Sequence, residues 1–164
     1  KQSKRKTLSQ VKKQLWVTFS IYIRMRDCLL TTGSTEWGHC ITCQKRYSRD
    51  MLQAGHFISG RSSGNLFSER GVHAQCYNCN INLKGNTLEY RRHILKLYGE
   101  GADIELEKEA RQLKKFTIPE LEEMITSYKQ RIDALKAQNS LRAWLAFTLG
   151  AKDDLNTNKQ KEVM

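Results

Sequence analysis

The sequence predicts an α+β protein in which a small cysteine-braced core of short strands lies between an N-terminal basic helix and C-terminal helices. Two CxxC pairs, at 40–43 and 76–79, flank a stretch that is punctuated by glycines and has no helical period. Before and after that stretch, apolar residues recur at spacings of three and four, as in amphipathic helices. No apolar run approaches the roughly 20 residues that span a bilayer, so we expect no membrane partner.

The first element is an amphipathic helix over residues 8–29. Its apolar positions recur at helical spacing from Leu8 through Val11, Leu15, Phe19 and Tyr22. The opposite face is basic and carries Lys12, Lys13, Arg24 and Arg26. Together with the charged tail before it, this helix forms the first expected segment, residues 1–30.

The second expected segment, residues 31–98, holds both CxxC pairs. We expect a β-hairpin with strands near 51–57 and 66–74, around the loop ISGRSSGN. One helix should begin near the second CxxC pair, and another should run from about 86 to 98.

The third expected segment, residues 99–164, is helical. After a short stretch over about 103–115, Thr117 and Glu120 form a capping-box pattern that begins a helix over 117–136. A heptad seam follows, made of Ile118, Leu121, Ile125, Tyr128, Ile132 and Leu135. Packing within the chain explains this seam as well as a dimeric coiled coil does.

The charge distribution predicts a polyanionic partner. The chain carries 28 Lys and Arg against 17 Asp and Glu, a net charge of +11. Residues 1–100 hold 17 basic and 6 acidic residues, whereas residues 101–164 hold 11 of each. The excess therefore surrounds the cysteines, which favours nucleic acid bound through its phosphates over a surface that is basic only for solubility.

Four of the five cysteines predict a structural zinc site. Cys40, Cys43, Cys76 and Cys79 can present four thiolates tetrahedrally, which is the arrangement that structural zinc prefers. The cysteine count is odd, and four of the five fall in CxxC pairs, which indicates metal binding in a reducing compartment. We therefore expect a cytoplasmic protein. Cys28 has no CxxC partner and is expected to be a small buried residue, and His39 is expected to be a bystander.

Two histidines lie between the CxxC pairs, where the residues alone leave structural and catalytic roles equally open. His56 lies in a predicted strand, and His73 lies just before the second pair. Asn80 directly follows the last cysteine, where a residue that only caps a turn is the alternative. A histidine can bind a metal or transfer a proton, and an asparagine can bind a metal through its amide oxygen.

Several motifs carry a resemblance, and they agree in order and spacing over roughly residues 15–100. They are YIRMRD (22–27), CITC (40–43), QAGHF (53–57), FSERGVHAQCYNCN (67–80) and LKGNTLEYR (83–91). The chain resembles the HNH, or ββα-metal, nuclease class, and more closely the Rap (NinG) family of phage recombination endonucleases. The resemblance implies a small zinc-stapled ββα-metal (HNH-like) core.

The resemblance also implies site roles. His56 stands where the class keeps its general base, and Asn80 stands where related four-cysteine resolvases hold a catalytic magnesium or manganese ion. Two positions depart from the pattern: Gly55 replaces the usual Asp or His, and Gly71 replaces an Asn. Either the ion is held by Asn80 with His73, Glu69 or Asp50 and waters, with His73 preferred, or the chain is catalytically weakened.

The function implied by the resemblance is a structure-specific DNA endonuclease. It would hydrolyse phosphodiester bonds in Holliday junctions and D-loops, leaving a 5′ phosphate and a 3′ hydroxyl, as a homodimer beside phage or host recombination proteins in a bacterial cytoplasm. We expect DNA contacts from Lys12, Lys13, Arg24, Arg26, Arg61, Lys84, Arg91 and Arg92. The alternatives are a non-catalytic zinc-stapled DNA-binding module and an RNA or general nicking nuclease.

Overall fold

The computed structural model describes residues 6–60 and 62–159, with side chains up to residue 146. The helices are α1 (Leu8–Thr32), α2 (Thr87–Tyr98), α3 (Ala102–Arg111) and α4 (Ile118–Lys159). The strands are β1 (Trp37–His39), β2 (Arg46–Ser48), β3 (Leu52–His56) and β4 (Val72–Cys76). A 3-10 turn (Arg49–Met51) precedes β3, and a π turn (Asn78–Asn82) follows β4. The mixed α+β class is therefore confirmed.

Helix α1 begins and ends at residues suited to those positions. The Thr7 hydroxyl accepts from the Gln10 N–H, and the Gln10 side chain accepts from the Thr7 N–H, which forms a capping box. Gly33 ends the helix with a left-handed φ of 75°, where glycine has no Cβ penalty. The expected helix over 8–29 is confirmed and runs one turn further. Within the described ranges, no helix has the length and apolar character needed to cross a membrane.

Helix α4 packs along α1 through the heptad seam. The predicted capping box is present, since the Thr117 N–H donates to Glu120 Oε2 at 2.7 Å. Four seam residues are buried in one core with α1, and Ile118 and Leu135 pack against it. The seam is thus occupied within the chain and is not left for a coiled-coil partner. The helix extends well beyond the expected end at residue 136.

A small hairpin that the sequence reading did not anticipate carries the first CxxC pair. Strands β1 and β2 pair antiparallel, with Trp37 opposite Ser48 and His39 opposite Arg46. The pair Cys40 and Cys43 lies in the connecting turn. Strands of three residues are too short to give a readable alternation of apolar and polar side chains, which explains why this hairpin was missed.

The second hairpin, β3–β4, positions the candidate site. Its register places Leu52 opposite Cys76, Gly55 opposite His73, and His56 opposite Val72. The first strand matches the expectation of 51–57. The expected second strand, 66–74, was wrong at both ends, because residues 66–71 turn back through bonds such as Gly71 N–H to Ser68 Oγ before β4 starts.

The prediction of a helix at the second CxxC pair was also wrong, because only the short π turn forms there. Lys84, Gly85 and Asn86 follow with φ values of 50°, 92° and 47°. Three successive left-handed residues cannot continue a right-handed helix. Helix α2 then begins, close to the expected start at 86. Helix α3 is shorter than the expected stretch over 103–115, because Gln112 adopts an extended conformation.

Both faces of the β3–β4 hairpin are covered. On one face, Ala54 and Val72 join the core between α1 and α4. On the other, His73 packs against the aromatic rings of Tyr90 and Tyr98 from α2. Because successive strand residues point to opposite faces, neighbouring residues in one strand contact different helices.

Candidate active site and zinc centre

The four cysteines of the two CxxC pairs form one buried cluster. The Sγ atoms of Cys40, Cys43, Cys76 and Cys79 all lie within 4.8 Å of one another. Burial opposes ionisation of Cys40, but bonds from the Thr42 hydroxyl and from backbone N–H groups outweigh it and lower the pKa of Cys40 to about 7. Burial raises the pKa of Cys43 and of Cys79, so zinc binding would release protons from these two thiols. The cluster could therefore hold a zinc ion.

Cys28 is separate from this cluster, as expected. Its side chain is fully buried, and burial raises the pKa of Cys28 to about 11. A Cβ on Gly38 would lie 2.6 Å from Cys28 Sγ, so β1 passes directly over the thiol. The expectation that Cys28 is a small buried residue is confirmed. His39 also lies outside the cysteine cluster.

An open cleft of about 280 Å³ brings together three of the residues singled out from the sequence, His56, Asn80 and Lys84. Its lining residues are Ala54, His56, Phe57, Ser59, Gly60, Asn80, Ile81, Lys84, Gly85 and Thr87. No Asp or Glu is among these described lining residues. The cleft therefore combines an imidazole, an amide and an ammonium group.

The ring of His56 is held by contacts with α1 and with the loop after β3. It stacks on Trp16, with centroids 5.2 Å apart and planes 15° from parallel. Its Nε2 lies 3.3 Å from the Leu66 carbonyl oxygen. A carbonyl only accepts hydrogen bonds, so Nε2 carries the proton in the neutral ring. Nδ1 is then the nitrogen that can accept a proton.

Asn80 belongs to a group of amide side chains around Gly55. Its Nδ2 donates to Gln53 Oε1 at 2.7 Å. This bond leaves Oδ1 directed at the side-chain position of Gly55, 3.1 Å from where a Cβ would lie. The fully buried Gln75 leans over the same position from β4.

His73 does not share the cleft with His56 and Asn80. Its Nδ1 lies 3.1 Å from Asp27 Oδ2, and its Nε2 lies 3.1 Å from the Tyr98 hydroxyl. Both ring nitrogens are therefore engaged inside the protein, and the side chain is only 5% exposed. His73 lines a second cavity of about 360 Å³, together with His39 and His93.

Asp27 is the anion of the network around His73. Its Oδ2 also accepts from the Ala74 N–H at 2.6 Å, and its Oδ1 accepts from Arg26 Nε at 2.8 Å. Burial opposes its ionisation, but the bonds and charges of His73 and Arg26 outweigh burial and lower the pKa of Asp27.

The two carboxylates considered from the sequence as ion ligands lie away from the cleft. Glu69 accepts from the Tyr22 and Tyr128 hydroxyls at 3.2 and 3.1 Å, and it pairs with Arg131. Asp50 is exposed beside Arg49, in the turn before β3, and so lies at the opposite end of that strand from His56.

The basic residues proposed to bind DNA divide into two groups. Arg24 donates to the carbonyls of Arg49 and Leu52, and Arg26 donates to those of Glu69 and Val72, so both brace the fold. Arg91 pairs with Asp103. Lys13, Lys84 and Arg92 are exposed, and Lys12 is partly so, over the Phe116 ring. Arg61 lies outside the described residues.

Lys12 and Lys13 lie on the side of α1 that faces the cleft. They precede Trp16 by four and three residues, and residues at these spacings share a helix face. Because Trp16 stacks on His56, the first turns of α1 bring positive charge towards the same cleft as Lys84.

A comparison with protein families decides the relationship of the chain. A family model described as the bacteriophage lambda NinG protein matches residues 1–138. The chain belongs to the NinG family. This family is implicated in phage recombination. No curated protein and no solved structure matched the chain.

Three residues of this NinG-family site were missed in the sequence: Trp16, Gln53 and Gln75. Trp16 reads as one more apolar position of an amphipathic helix. Gln53 lies two residues before Gly55 in β3, and Gln75 lies two residues after His73 in β4. Only the strand register shows that all four residues share one face. The period-two spacing within each strand could have been read from the sequence. It does not show how the two strands pair or what covers this face.

Proposed function

We propose that this NinG-family protein is a metal-dependent endonuclease that hydrolyses phosphodiester bonds in branched DNA during phage recombination, in the cytoplasm of the bacterial host. The observation that carries the proposal is the cleft in which His56, Asn80 and Lys84 meet. Asn80 directly follows Cys79 of the cysteine cluster. Membership of a family implicated in recombination favours DNA as the substrate.

His56 is the proposed general base. Stacking on Trp16 and the bond to the Leu66 carbonyl hold the imidazole in one orientation, with Nδ1 as the acceptor. A neutral imidazole is well suited to take a proton from water near pH 7. The deprotonated water would attack the phosphorus, and the leaving group would be the 3′ oxygen. The products are a 5′ phosphate and a 3′ hydroxyl.

A magnesium or manganese ion is the proposed cofactor, and the donor atoms near the cleft suit it in part. Hard divalent cations prefer oxygen ligands, and the amide oxygens of Asn80 and Gln75 both point to the side-chain position of Gly55. Such an ion offsets negative charge on the phosphate and the leaving oxygen. Since the described lining residues include no carboxylate, the phosphate of the substrate would supply the balancing charge.

The order of elements supports an HNH-like core. β3 ends at His56, β4 follows, and Asn80 precedes α2, which is the strand–strand–helix order that the resemblance implies. In this proposal the zinc of the four cysteines is structural, because a site with four thiolate ligands leaves no open position.

The basic groups beside the cleft are the proposed phosphate contacts. Lys12, Lys13 and Lys84 carry this role together with Arg92, which is exposed on α2, and DNA shape rather than base sequence decides where the protein binds. Symmetric cutting of a four-way junction calls for two active sites, so we propose a homodimer. Its interface would lie outside the α4 seam, because α1 covers that seam.

A labelled four-way junction tests the function. The protein is incubated with the junction and Mn²⁺ or Mg²⁺, with and without a chelator, beside linear duplex, single strand and RNA. We expect metal-dependent products from the junction in excess of those from the other substrates. Equal cutting of all substrates would indicate a general nicking nuclease instead.

The second candidate function is a non-catalytic, zinc-stapled DNA-binding module. The absence of a carboxylate among the described lining residues favours it. The same assay separates the two functions, because a binder gives a shifted junction band in a native gel and no products at any metal concentration.

A further inference from the structure

Gln75 holds a buried oxygen atom in a fixed orientation. Its Nε2 donates to the Gly85 carbonyl at 2.7 Å and to Thr42 Oγ1 at 3.3 Å. Because a carbonyl cannot donate, the amide cannot be turned over without losing the bond to Gly85. Its Oε1 is buried and has no hydrogen-bond partner among the described residues. Leaving such a group unpaired is unfavourable.

Gly55 leaves the space that this oxygen occupies. A Cβ at position 55 would lie less than 3.0 Å from Gln75 Oε1, closer than real Cβ atoms come to a neighbour. The φ of Gly55 is not left-handed, so the glycine is explained by space and not by backbone conformation. The amide oxygen of Gln75, on β4, therefore occupies the space that a side chain at position 55, on β3, would need.

Asn80 directs a second oxygen to the same point. With Asn80 Nδ2 donating to Gln53 Oε1, Asn80 Oδ1 lies 3.1 Å from the missing Cβ. Two acceptor oxygens thus converge, and the described structure gives Gln75 Oε1 no donor. A cation or a donating water between them would satisfy both atoms, whereas turning over the Asn80 and Gln53 amides would supply a donor to Gln75 Oε1 alone.

We propose that Gln75 Oε1 is a ligand, together with Asn80 Oδ1, of a divalent cation of the magnesium or manganese class. Gln75 thereby supplies a ligand oxygen that Gly55, which has no side chain, cannot supply. The inference rests on the proposed function in that this ion would serve hydrolysis. Because both ligands are neutral, the free protein should bind the ion weakly, and bound DNA should tighten the binding.

The test measures ion binding directly. Zinc-loaded protein carrying His56→Ala is mixed with a four-way junction and titrated with Mn²⁺, and free Mn²⁺ is followed by electron paramagnetic resonance. Gln75→Met keeps the side-chain length and removes the oxygen, so we expect Mn²⁺ to bind at least tenfold more weakly. Gln75→Glu adds a charge and should tighten binding by at least tenfold.

The control is Gln130→Leu, which removes an exposed amide on α4 and should change the Mn²⁺ affinity less than twofold. Zinc content and a thermal melt show whether each variant is folded. If Gln75→Met does not fold, Gln75→Glu decides the question. Unchanged Mn²⁺ affinity in the folded Gln75 variants would overturn the proposal and leave a bound water as the partner of Oε1.

The outcomes for the ion ligand and for the function are separable. If the protein without substitutions cuts junctions while the Gln75 variants bind Mn²⁺ normally, the ligand inference fails and the endonuclease stands. If Mn²⁺ binding depends on Gln75 but no DNA or RNA is cut, the endonuclease fails and the cation site stands.

Discussion

His56 and His73 lie almost opposite each other on one hairpin, yet their surroundings differ completely. His73 pairs across the ladder with Gly55, the residue before His56, so the two imidazoles point to opposite faces. His73 is buried with both nitrogens bonded to protein groups, whereas His56 lines an open cleft. The comparison teaches that burial and bonding to other protein groups, and not residue type or closeness to a CxxC pair, decide which histidine can meet a substrate.

The two regions also differ in what their contacts connect. His73 joins α1 through Asp27 to α2 through Tyr98, so its bonds hold three elements together. His56 stacks on Trp16 of α1, and its Nε2 lies beside the Leu66 carbonyl at the edge of the cleft. We therefore expect substitutions around His73 to change stability, and substitutions around the cleft to change DNA binding and cleavage.

Loss of the zinc proposed for the four cysteines should have the largest effect, because it would remove the support of both regions at once. Cys76 ends β4, the strand that carries His73 and pairs with the strand of His56. Structural zinc contributes on the order of 10 kcal/mol to folding, which is comparable to the whole stability of a domain. Cys76→Ser should therefore unfold the hairpin, as measured by zinc content and circular dichroism.

Cys28→Ala is the matched control for zinc loss, since Cys28 is buried but outside the cluster. It should keep one zinc per chain and a cooperative melt. A Cys76→Ser protein with full zinc and a native melt would contradict the assignment of the cluster.

Asp27→Asn should affect the His73 region alone, with the next largest effect. Removing the charge leaves Arg26 and the Ala74 N–H without their anionic partner, and breaking a buried pair typically costs about 3–5 kcal/mol. The measurement is urea unfolding at pH 7, with Asp133→Asn on the exposed face of α4 as the control. An unchanged free energy of unfolding would remove the stabilising role given to this network.

The sign of the pH dependence follows from the lowered pKa of Asp27. The ionised carboxylate contributes its full stability above the unfolded pKa of about 3.9. That contribution is lost as pH falls through the lower folded value. The difference between the original protein and Asp27→Asn should therefore shrink on acidification below pH 4, and a difference that grows would contradict the account.

Lys84→Ala should affect the cleft region alone and more gently. Lys84 is exposed in the cleft, so its loss should weaken junction binding by about three- to tenfold and reduce the salt slope by about 0.9. The free energy of unfolding should stay within about 0.5 kcal/mol. Binding is measured by fluorescence anisotropy over a salt series, with Lys136→Ala on α4 as the control. If Lys84→Ala and Lys136→Ala weakened junction binding equally, the cleft would have no special part in DNA binding.

The sequence predicted the features that depend on local pattern. Helical spacing predicted α1, helical spacing and a capping box predicted the start and the seam of α4, and the CxxC spacing predicted the cysteine cluster, because each signal lies within a few residues of chain. The limits of β4 and the π turn were not predicted, since left-handed residues such as Lys84 and Asn86 have no strong sequence signal.

The environment of each site residue could not be predicted, because it depends on long-range packing. Glu69 reads as a possible ion ligand, but its charge is met by Arg131, 62 residues later. Arg26 reads as a basic surface residue, but it donates to carbonyls of the loop before β4 and of β4 itself. Gln75 carried no signal at all until the register placed it over Gly55.

The most direct test of the central claim compares His56→Ala with His73→Ala in one experiment. Junction cleavage with Mn²⁺ and the free energy of unfolding are measured for both. We expect His56→Ala to lose about 10²–10⁴-fold in cleavage while losing little stability. His73→Ala should lose about 2–4 kcal/mol, because it leaves buried partners unpaired, while its folded fraction still cuts. Unchanged cleavage by His56→Ala, or a stable His73→Ala protein that cannot cut, would contradict the account.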